Sequence, residues 1–110
     1  MNNETLAAVA QPGAFVQVIE FSTDQVERWS EIQDRLIESL GPARTTRWSI
    51  LGADRDRPGR YVALVEFADH AAALANSDQV ATGTWFKELQ AICTEEPTFR
   101  NLDVEVVRPY

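Results

Sequence analysis

The sequence predicts an α+β fold in which strands and helices follow the order β-α-β-β-α-β. Three observations predict it. Short runs rich in β-branched and aromatic residues are typical of strands, two stretches carry one apolar face at helical spacing, and similar strand-like segments begin each half of the chain. The chain has 110 residues, of which 45% are hydrophobic and 25% charged, as expected for one globular domain.

The first half of the chain is predicted to hold a strand, a helix and a second strand. Phe15–Phe21 is short and rich in valine, isoleucine and phenylalanine, which favours a strand. Ser22 or Thr23 is then expected to cap a helix that runs to Leu40, where a glycine and a proline end it. Arg44–Ala53 is predicted as the second strand.

The second half repeats this order with a divided helical segment. The turn residues of Asp54–Gly59 join the second strand to a third, Arg60–Phe67, as a hairpin. A short alanine-rich helix over Ala71–Ala75 and a longer helix over Asp78–Cys93 follow. Phe99–Val107 alternates apolar and polar residues and is predicted as the fourth strand.

An internal similarity links the two halves. Val16–Phe21 and Val62–Phe67 both fit the string V-x-[VL]-[VI]-E-F, and in both places a strand leads into a helix. With right-handed crossovers, this repeat predicts a ferredoxin-like βαββαβ domain: a four-stranded antiparallel sheet, the first and third strands at its centre, and the helices on one face.

The two central strands are apolar on both sides. In the first strand Val16 and Val18 point one way, whereas Phe15, Ile19 and Phe21 point the other. Helices on one face would leave the second apolar face open to water, and such surfaces usually mark interfaces. We therefore expect a homodimer that buries this face about a two-fold axis. The alternative is a monomer whose helices divide between both faces.

Charge and cysteine content limit the partners. The chain carries 17 acidic and 10 basic residues, a net charge of −7, which disfavours nucleic acid and anionic membranes as partners. No apolar run approaches the roughly 20 residues of a membrane-spanning helix. Cys93 is the only cysteine, so no internal disulfide can form.

Residues 1–13 are predicted to form a flexible leader before a single domain over residues 14–110. The leader has no basic residue and no long apolar run, so it does not resemble a secretory signal, and we expect a cytoplasmic protein. The alternative is an arm that packs on a partner subunit.

The chain resembles the dimeric α/β-barrel superfamily, near its antibiotic-biosynthesis-monooxygenase-like domains. The resemblance rests on the element order, on the two V-x-[VL]-[VI]-E-F strings and on the segment from Asn76-Ser77 through Thr98–Leu102. The resemblance covers about Phe15–Val107. It implies a two-fold dimer whose sheets form a barrel and a pocket between sheet and helices in each protomer. The group includes cofactor-free oxygenases of polyphenolic compounds, haem-degrading enzymes and proteins with no assigned activity.

Haem degradation is disfavoured by the residues at the corresponding positions. The haem-degrading relatives use an asparagine on the first strand and a tryptophan on the third, where this chain has Gln17 and Phe67 or Tyr61. They also use a helix histidine, whereas His70 lies too close to the third strand.

His70, Trp85 and Asn76 are the candidate catalytic residues. His70 is the only histidine and can in principle carry protons, although a surface or capping role is the simpler interpretation. Trp85 corresponds in type to the tryptophan of the oxygenases, and Asn76, with Thr82 and Thr84, could line the mouth of a pocket.

A ligand pocket is predicted from the aromatic and polar residues of the strands and helices. The pocket candidates are Gln17, Trp29, Trp48, Trp85 and Phe86. Core packing competes with this role for Trp29 and Trp85, and an interface role competes for Trp48.

The remaining reactive side chains favour structural roles. Glu20 and Glu66 occupy matching strand ends, where solvated carboxylates or partners for arginine are expected, and Arg47 could meet an anionic ligand. Cys93 lies on an apolar helix face and is predicted to be an inert core residue. The chain has no glycine-rich phosphate loop and no zinc-spaced cysteine and histidine set, so no cofactor and no metal are predicted.

Two functions stay open on this evidence. One is an oxygenase-like enzyme that acts on a small aromatic or polyketide-type compound without metal or flavin. The other is a non-catalytic homodimeric module that binds a small apolar ligand or a protein partner.

Overall fold

A computed structural model describes residues 11–110, and the first ten residues of the predicted leader lie outside the described part. The described chain contains four strands and three α-helices. The strands are β1 (Phe15–Ser22), β2 (Thr46–Ala53), β3 (Arg60–Phe67) and β4 (Thr98–Asp103). The helices are α1 (Arg28–Leu40), α2 (His70–Ser77) and α3 (Val80–Ile92), and a 3-10 turn (Gly41–Ala43) follows α1.

The strands form one antiparallel sheet in the order β2-β3-β1-β4. Phe15 lies opposite Phe67 and Val18 opposite Leu64 in the central pair, β1 and β3. The ferredoxin-like topology and the central position of the first and third strands are therefore confirmed.

The three helices pack on one face of this sheet. Ile19 and Ala63, paired across β1 and β3, are fully buried beneath them, as is Leu89 of α3. Ile32 of α1 contributes to the same core. The alternative in which the helices divide between both faces is thereby excluded.

The start of α1 differs from the prediction. Ser22 belongs to β1 and the helix begins only at Arg28. The Thr23 hydroxyl accepts a hydrogen bond from the Gln25 amide at 3.0 Å and donates one to the carbonyl of Ile92. Thr23 therefore joins the end of β1 to the end of α3 rather than capping α1, so the predicted cap at Ser22 or Thr23 is wrong.

Boundaries of the other elements shift as well, and α3 spans Val80–Ile92 instead of the predicted Asp78–Cys93. β2 begins at Thr46 because the 3-10 turn takes up the chain before it. The short helix extends over His70–Ser77, capped by the Asp69 carboxylate, which accepts from the Ala72 amide at 2.8 Å. β4 ends at Asp103: Val104 still exchanges backbone hydrogen bonds with Ala14 and Gly13, but the chain beyond it is not strand.

The second face of the sheet carries apolar side chains that the helices do not cover. This open face consists of the side chains that alternate with the core, namely Val16, Val18, Trp48, Ile50, Val62, Leu64 and Leu102. Ile50 and Leu102, on the two edge strands, are 55% and 48% exposed. The expected open apolar face is therefore present.

A buried carboxylate sits among these apolar side chains. Glu66 of β3 is fully buried, and an irregularity in β2 between Thr46 and Trp48 brings Arg47 and Trp48 beside it. Arg47 Nε lies 3.7 Å from Glu66 Oε2. Burial raises the pKa of Glu66, and the Arg47 charge and a hydrogen bond from Trp48 oppose that rise. Glu66 is thus an arginine partner, as predicted, but it is not solvated.

Glu66→Gln is expected to change how stability depends on pH. Because the pKa of Glu66 is raised in the folded state, the folded protein binds the proton more tightly, so this group's contribution to stability falls as pH rises above the ordinary glutamate value of 4.5. Chemical unfolding from pH 4 to pH 7 should show the stability of the native protein falling relative to that of Glu66→Gln. Glu31→Gln, at an exposed site, controls for net charge. If the free energies of unfolding of the native protein and Glu66→Gln differed by the same amount at every pH, the prediction would be contradicted.

Candidate functional site

A cavity of about 180 Å³ lies between the covered face of the sheet and the three helices. Its walls are largely apolar. The sheet contributes Phe15, Ile19, Val65 and Phe67, and the helices contribute Leu36, Ile37, Ala73, Leu74 and Trp85. Most of these side chains are buried, but Leu74 is 52% exposed, so the cavity lies within the core layer and opens to the surface.

Polar side chains from six elements reach this cavity. Gln17 of β1 and Asn101 of β4 lie on its floor, and the Gln17 amide donates a hydrogen bond to Asn101 Oδ1 at 3.3 Å. Gln33 of α1 accepts a hydrogen bond from the Trp85 indole. Thr46, Ser77 and Thr82 also border the cavity.

Asn76 is the most buried polar side chain of the lining. Only 5% of it is exposed, and its Oδ1 accepts no hydrogen bond from residues 11–110. Its backbone carbonyl accepts a hydrogen bond from the Thr82 hydroxyl at 2.6 Å, which fixes the end of α2 against the start of α3. Buried polar atoms normally have partners, so this oxygen is unusual.

His70 lies at the mouth of the cavity. It is exposed at the first residue of α2, and its ring centroid is 5.2 Å from that of Phe15. Among the described residues, the lining of the cavity includes this one histidine and no carboxylate, lysine or arginine. The cavity therefore suits neutral rather than ionic ligands.

Four of the residues predicted for the site meet at this cavity: Gln17, His70, Asn76 and Trp85. Thr82 lines it too, whereas Thr84 does not. The roles of these side chains stay predictions, because a shared cavity shows proximity and not function.

Three predicted pocket residues lie elsewhere. Trp29 is buried in the core, stacked on Phe21 with ring centroids 5.3 Å apart. Trp48 projects from the open face of the sheet. Phe86 packs against Phe99 at 5.5 Å, beside the cavity lining rather than within it. An apolar helix face, as it is visible in the sequence, does not show whether a residue on that face lines a cavity or packs in a filled core.

The predicted site did not include four polar residues that line the cavity: Gln33, Thr46, Ser77 and Asn101. Gln33 lies four residues after Trp29 and therefore on the buried stripe of α1. A polar residue on such a stripe is a sequence signal that could have identified it as a site residue. Asn101 lies opposite Gln17 in β4, and only the register of the sheet brings the two amides together.

Other reactive groups do not add to the site. Burial and the nearby Glu96 charge raise the pKa of the Cys93 thiol, which keeps it protonated. Within residues 11–110 no group of three or more histidine, cysteine, aspartate or glutamate side chains could hold a metal ion. The described helices include none with the length and apolar character needed to cross a membrane.

Solved structures with the same arrangement support the fold. A variant of SnoaB, a cofactor-independent oxygenase from Streptomyces nogalater, superposes with a TM-score of 0.73 at 17% identity, over 89% of this chain and 99% of that one. A conserved protein from Methanosarcina mazei reaches 0.67 at 13% identity, over 90% of this chain and 96% of that one. An antibiotic biosynthesis monooxygenase reaches 0.61 at 17% identity, over 83% and 97% of the two chains.

This chain has the antibiotic-biosynthesis-monooxygenase-like fold. In sequence, no protein-family model and no curated protein matches it. The ferredoxin-like, antibiotic-biosynthesis-monooxygenase-like fold predicted from the sequence is therefore confirmed by structural similarity.

Gln33→Leu is expected to destabilise the protein because it leaves the buried Trp85 indole N–H without its acceptor. Such a loss costs about 1–3 kcal/mol of unfolding free energy. Urea unfolding followed by tryptophan fluorescence measures it. Gln90→Leu is the matched control, since the Gln90 amide donates to Glu96 in an exposed pair, and it should change stability by less than about 0.5 kcal/mol. Equal effects of the two variants would contradict the prediction.

Proposed function

We propose that this protein is a cytoplasmic, homodimeric, cofactor-independent oxygenase that acts on a small aromatic compound. The observation that carries the proposal is the apolar cavity beneath the helices with polar side chains converging on it. The similarity in fold to SnoaB, itself a cofactor-independent oxygenase, supports it.

The reaction requires no electron donor other than the substrate. A phenol and O₂ give a quinone and water: the ring loses four electrons, one oxygen atom becomes the new ring carbonyl, and the other leaves as water with two hydrogens from the substrate. The apolar walls would hold the ring beside Trp85, and His70 would accept a proton released at the cavity mouth.

The charge of the lining supports a neutral aromatic substrate. A carboxylate or phosphate inside the cavity would lose its hydration and find no cationic partner among the lining side chains. The predicted arginine site for anions is not favoured either, because Arg47 faces Glu66 on the other side of the sheet.

Oxygen consumption tests the catalytic proposal. Incubation of the protein with mono- and dihydroxylated aromatic compounds should give oxygen uptake and one quinone per O₂ consumed. His70→Gln should lower the turnover rate about 100-fold with ligand affinity little changed, because a general base contributes on that scale.

Thr84→Val is the matched control, since Thr84 is an exposed residue outside the cavity, and it should turn over at the native rate. Binding without oxygen uptake by the native protein would overturn the oxygenase proposal and favour the non-catalytic binding module.

A second copy of the chain is the proposed occupant of the open face. Association of two copies would bury the apolar side chains of the open face. This burial favours the dimer by roughly 25 cal/mol per Å² of apolar area. Among the described strand residues, this face carries three arginines and two glutamates, Arg47, Arg60, Arg100, Glu20 and Glu66, which form ion pairs with one another, and Arg60 also pairs with Glu95. Although the whole chain has a net charge of −7, this face is not acidic, which lowers the repulsion between two copies.

Ile50→Asp is expected to dissociate the dimer, because it would place a carboxylate in the buried interface. Light scattering after size exclusion should give twice the 12.3 kDa chain mass for the native protein and the chain mass for the variant. Val80→Asp is the control, since Val80 is 88% exposed at the start of α3, away from the sheet face. A native protein that stays at the chain mass would contradict the prediction.

A further inference from the structure

We propose that the amide pair formed by Gln17 and Asn101 determines which aromatic compounds the cavity binds. The pair selects rings that carry a hydroxyl group and, on the neighbouring ring carbon, a second oxygen. Gln17 would accept the hydrogen bond of the hydroxyl, and Asn101 would donate one to the second oxygen. This inference rests on the proposed function, because it names the substrate class of the same cavity.

The hydrogen bond between the two side chains leaves one acceptor and one donor for a ligand. The Gln17 amide nitrogen donates to Asn101 Oδ1 at 3.3 Å. Within residues 11–110, Gln17 Oε1 and Asn101 Nδ2 make no hydrogen bond. Each of these two atoms is bonded to the same carbon as an engaged atom, so the free carbonyl and the free amino group lie close together. Two oxygens on neighbouring ring carbons fit this close spacing, whereas oxygens in a 1,3 or 1,4 arrangement point apart.

The amide pair is accessible to a ligand. Asn101 belongs to the edge strand β4 and is exposed, and Gln17 is half-buried. Asn76 Oδ1 is sealed from solvent, but Gln17 Oε1 is not. A ligand can therefore replace solvent at both groups of the pair without displacing the helices.

Apolar side chains beside the pair provide a surface for the ring. Phe15 lies two residues before Gln17 on the same face of β1, and Val65 is paired with Gln17 across β3. Both side chains line the cavity. A ring that packs on them loses apolar contact with water and places its substituted edge beside the amide pair. The apolar walls therefore supply affinity, and the pair supplies the choice between substitution patterns.

The binding of three isomers under nitrogen tests the inference, because no turnover occurs without oxygen. Catechol, resorcinol and hydroquinone contain the same atoms and differ in the spacing of their two hydroxyl groups. By calorimetry, catechol should bind about fivefold more tightly than either isomer, the scale of one net hydrogen bond. 1,2-Dimethoxybenzene keeps the neighbouring oxygens but has no donor, so it should lose this advantage.

Two variants test the pair itself. Asn101→Leu and Gln17→Leu should each bring the three isomers within twofold of one another, because each removes one of the two hydrogen bonds to catechol. Gln90→Leu is the matched control, since the Gln90 amide donates to Glu96 outside the cavity lining, and it should keep the native preference. If neither variant folds, the isomer series on the native protein decides alone.

The outcomes separate this inference from the proposed function. Equal affinities for the three isomers, no binding of any of them, or the native preference retained in Asn101→Leu would overturn the inference even where oxygen uptake is observed. A catechol preference that both variants lose, without oxygen uptake by any aromatic compound in air, would uphold the inference and overturn the oxygenase proposal alone.

Discussion

The antiparallel pairing of β1 with β3 is the constraint on which the rest of the structure depends. Side chains alternate along each strand, so this register divides the side chains of β1 and β3 between two layers, one covered by the helices and one on the open face. Ile19 opposite Ala63 forms the centre of the covered layer, and Val18 opposite Leu64 forms the centre of the open layer. A shift of one residue would exchange the layers and bury Glu20 and Glu66 under the helices.

The cavity follows from how the helices fill the covered layer. Near one end of β1, Phe21 stacks on Trp29 and Tyr61, so large rings occupy the space between sheet and α1. Further along β1 the layer contains Gln17, and above it the small Ala73 of α2. Less volume on both sides leaves the space that Asn76 and Trp85 border.

The fold could be predicted from the sequence because its signals are local. Strand alternation, helical stripes and the repeated V-x-[VL]-[VI]-E-F string each lie within a few consecutive residues. The site was predicted only in part, because a cavity depends on how distant elements meet. Trp29 and Trp85 both lie on the apolar stripe of a helix, yet Trp29 packs against Phe21 whereas Trp85 borders the cavity. The Gln17–Asn101 pair, 84 residues apart, is set by sheet register alone.

The two faces of the sheet are mechanically linked through the same strands. In β3, Val65 lines the cavity while its neighbours Leu64 and Glu66 face the other way. Any shift of β3 that widens the cavity must therefore also move the open-face side chains, including the buried Glu66 and its contact with Arg47. Close-packed layers resist such displacement. Covering the open face with a second copy would hold the floor of the cavity in one position, so dimerisation and a rigid binding site would arise from the same alternation of side chains.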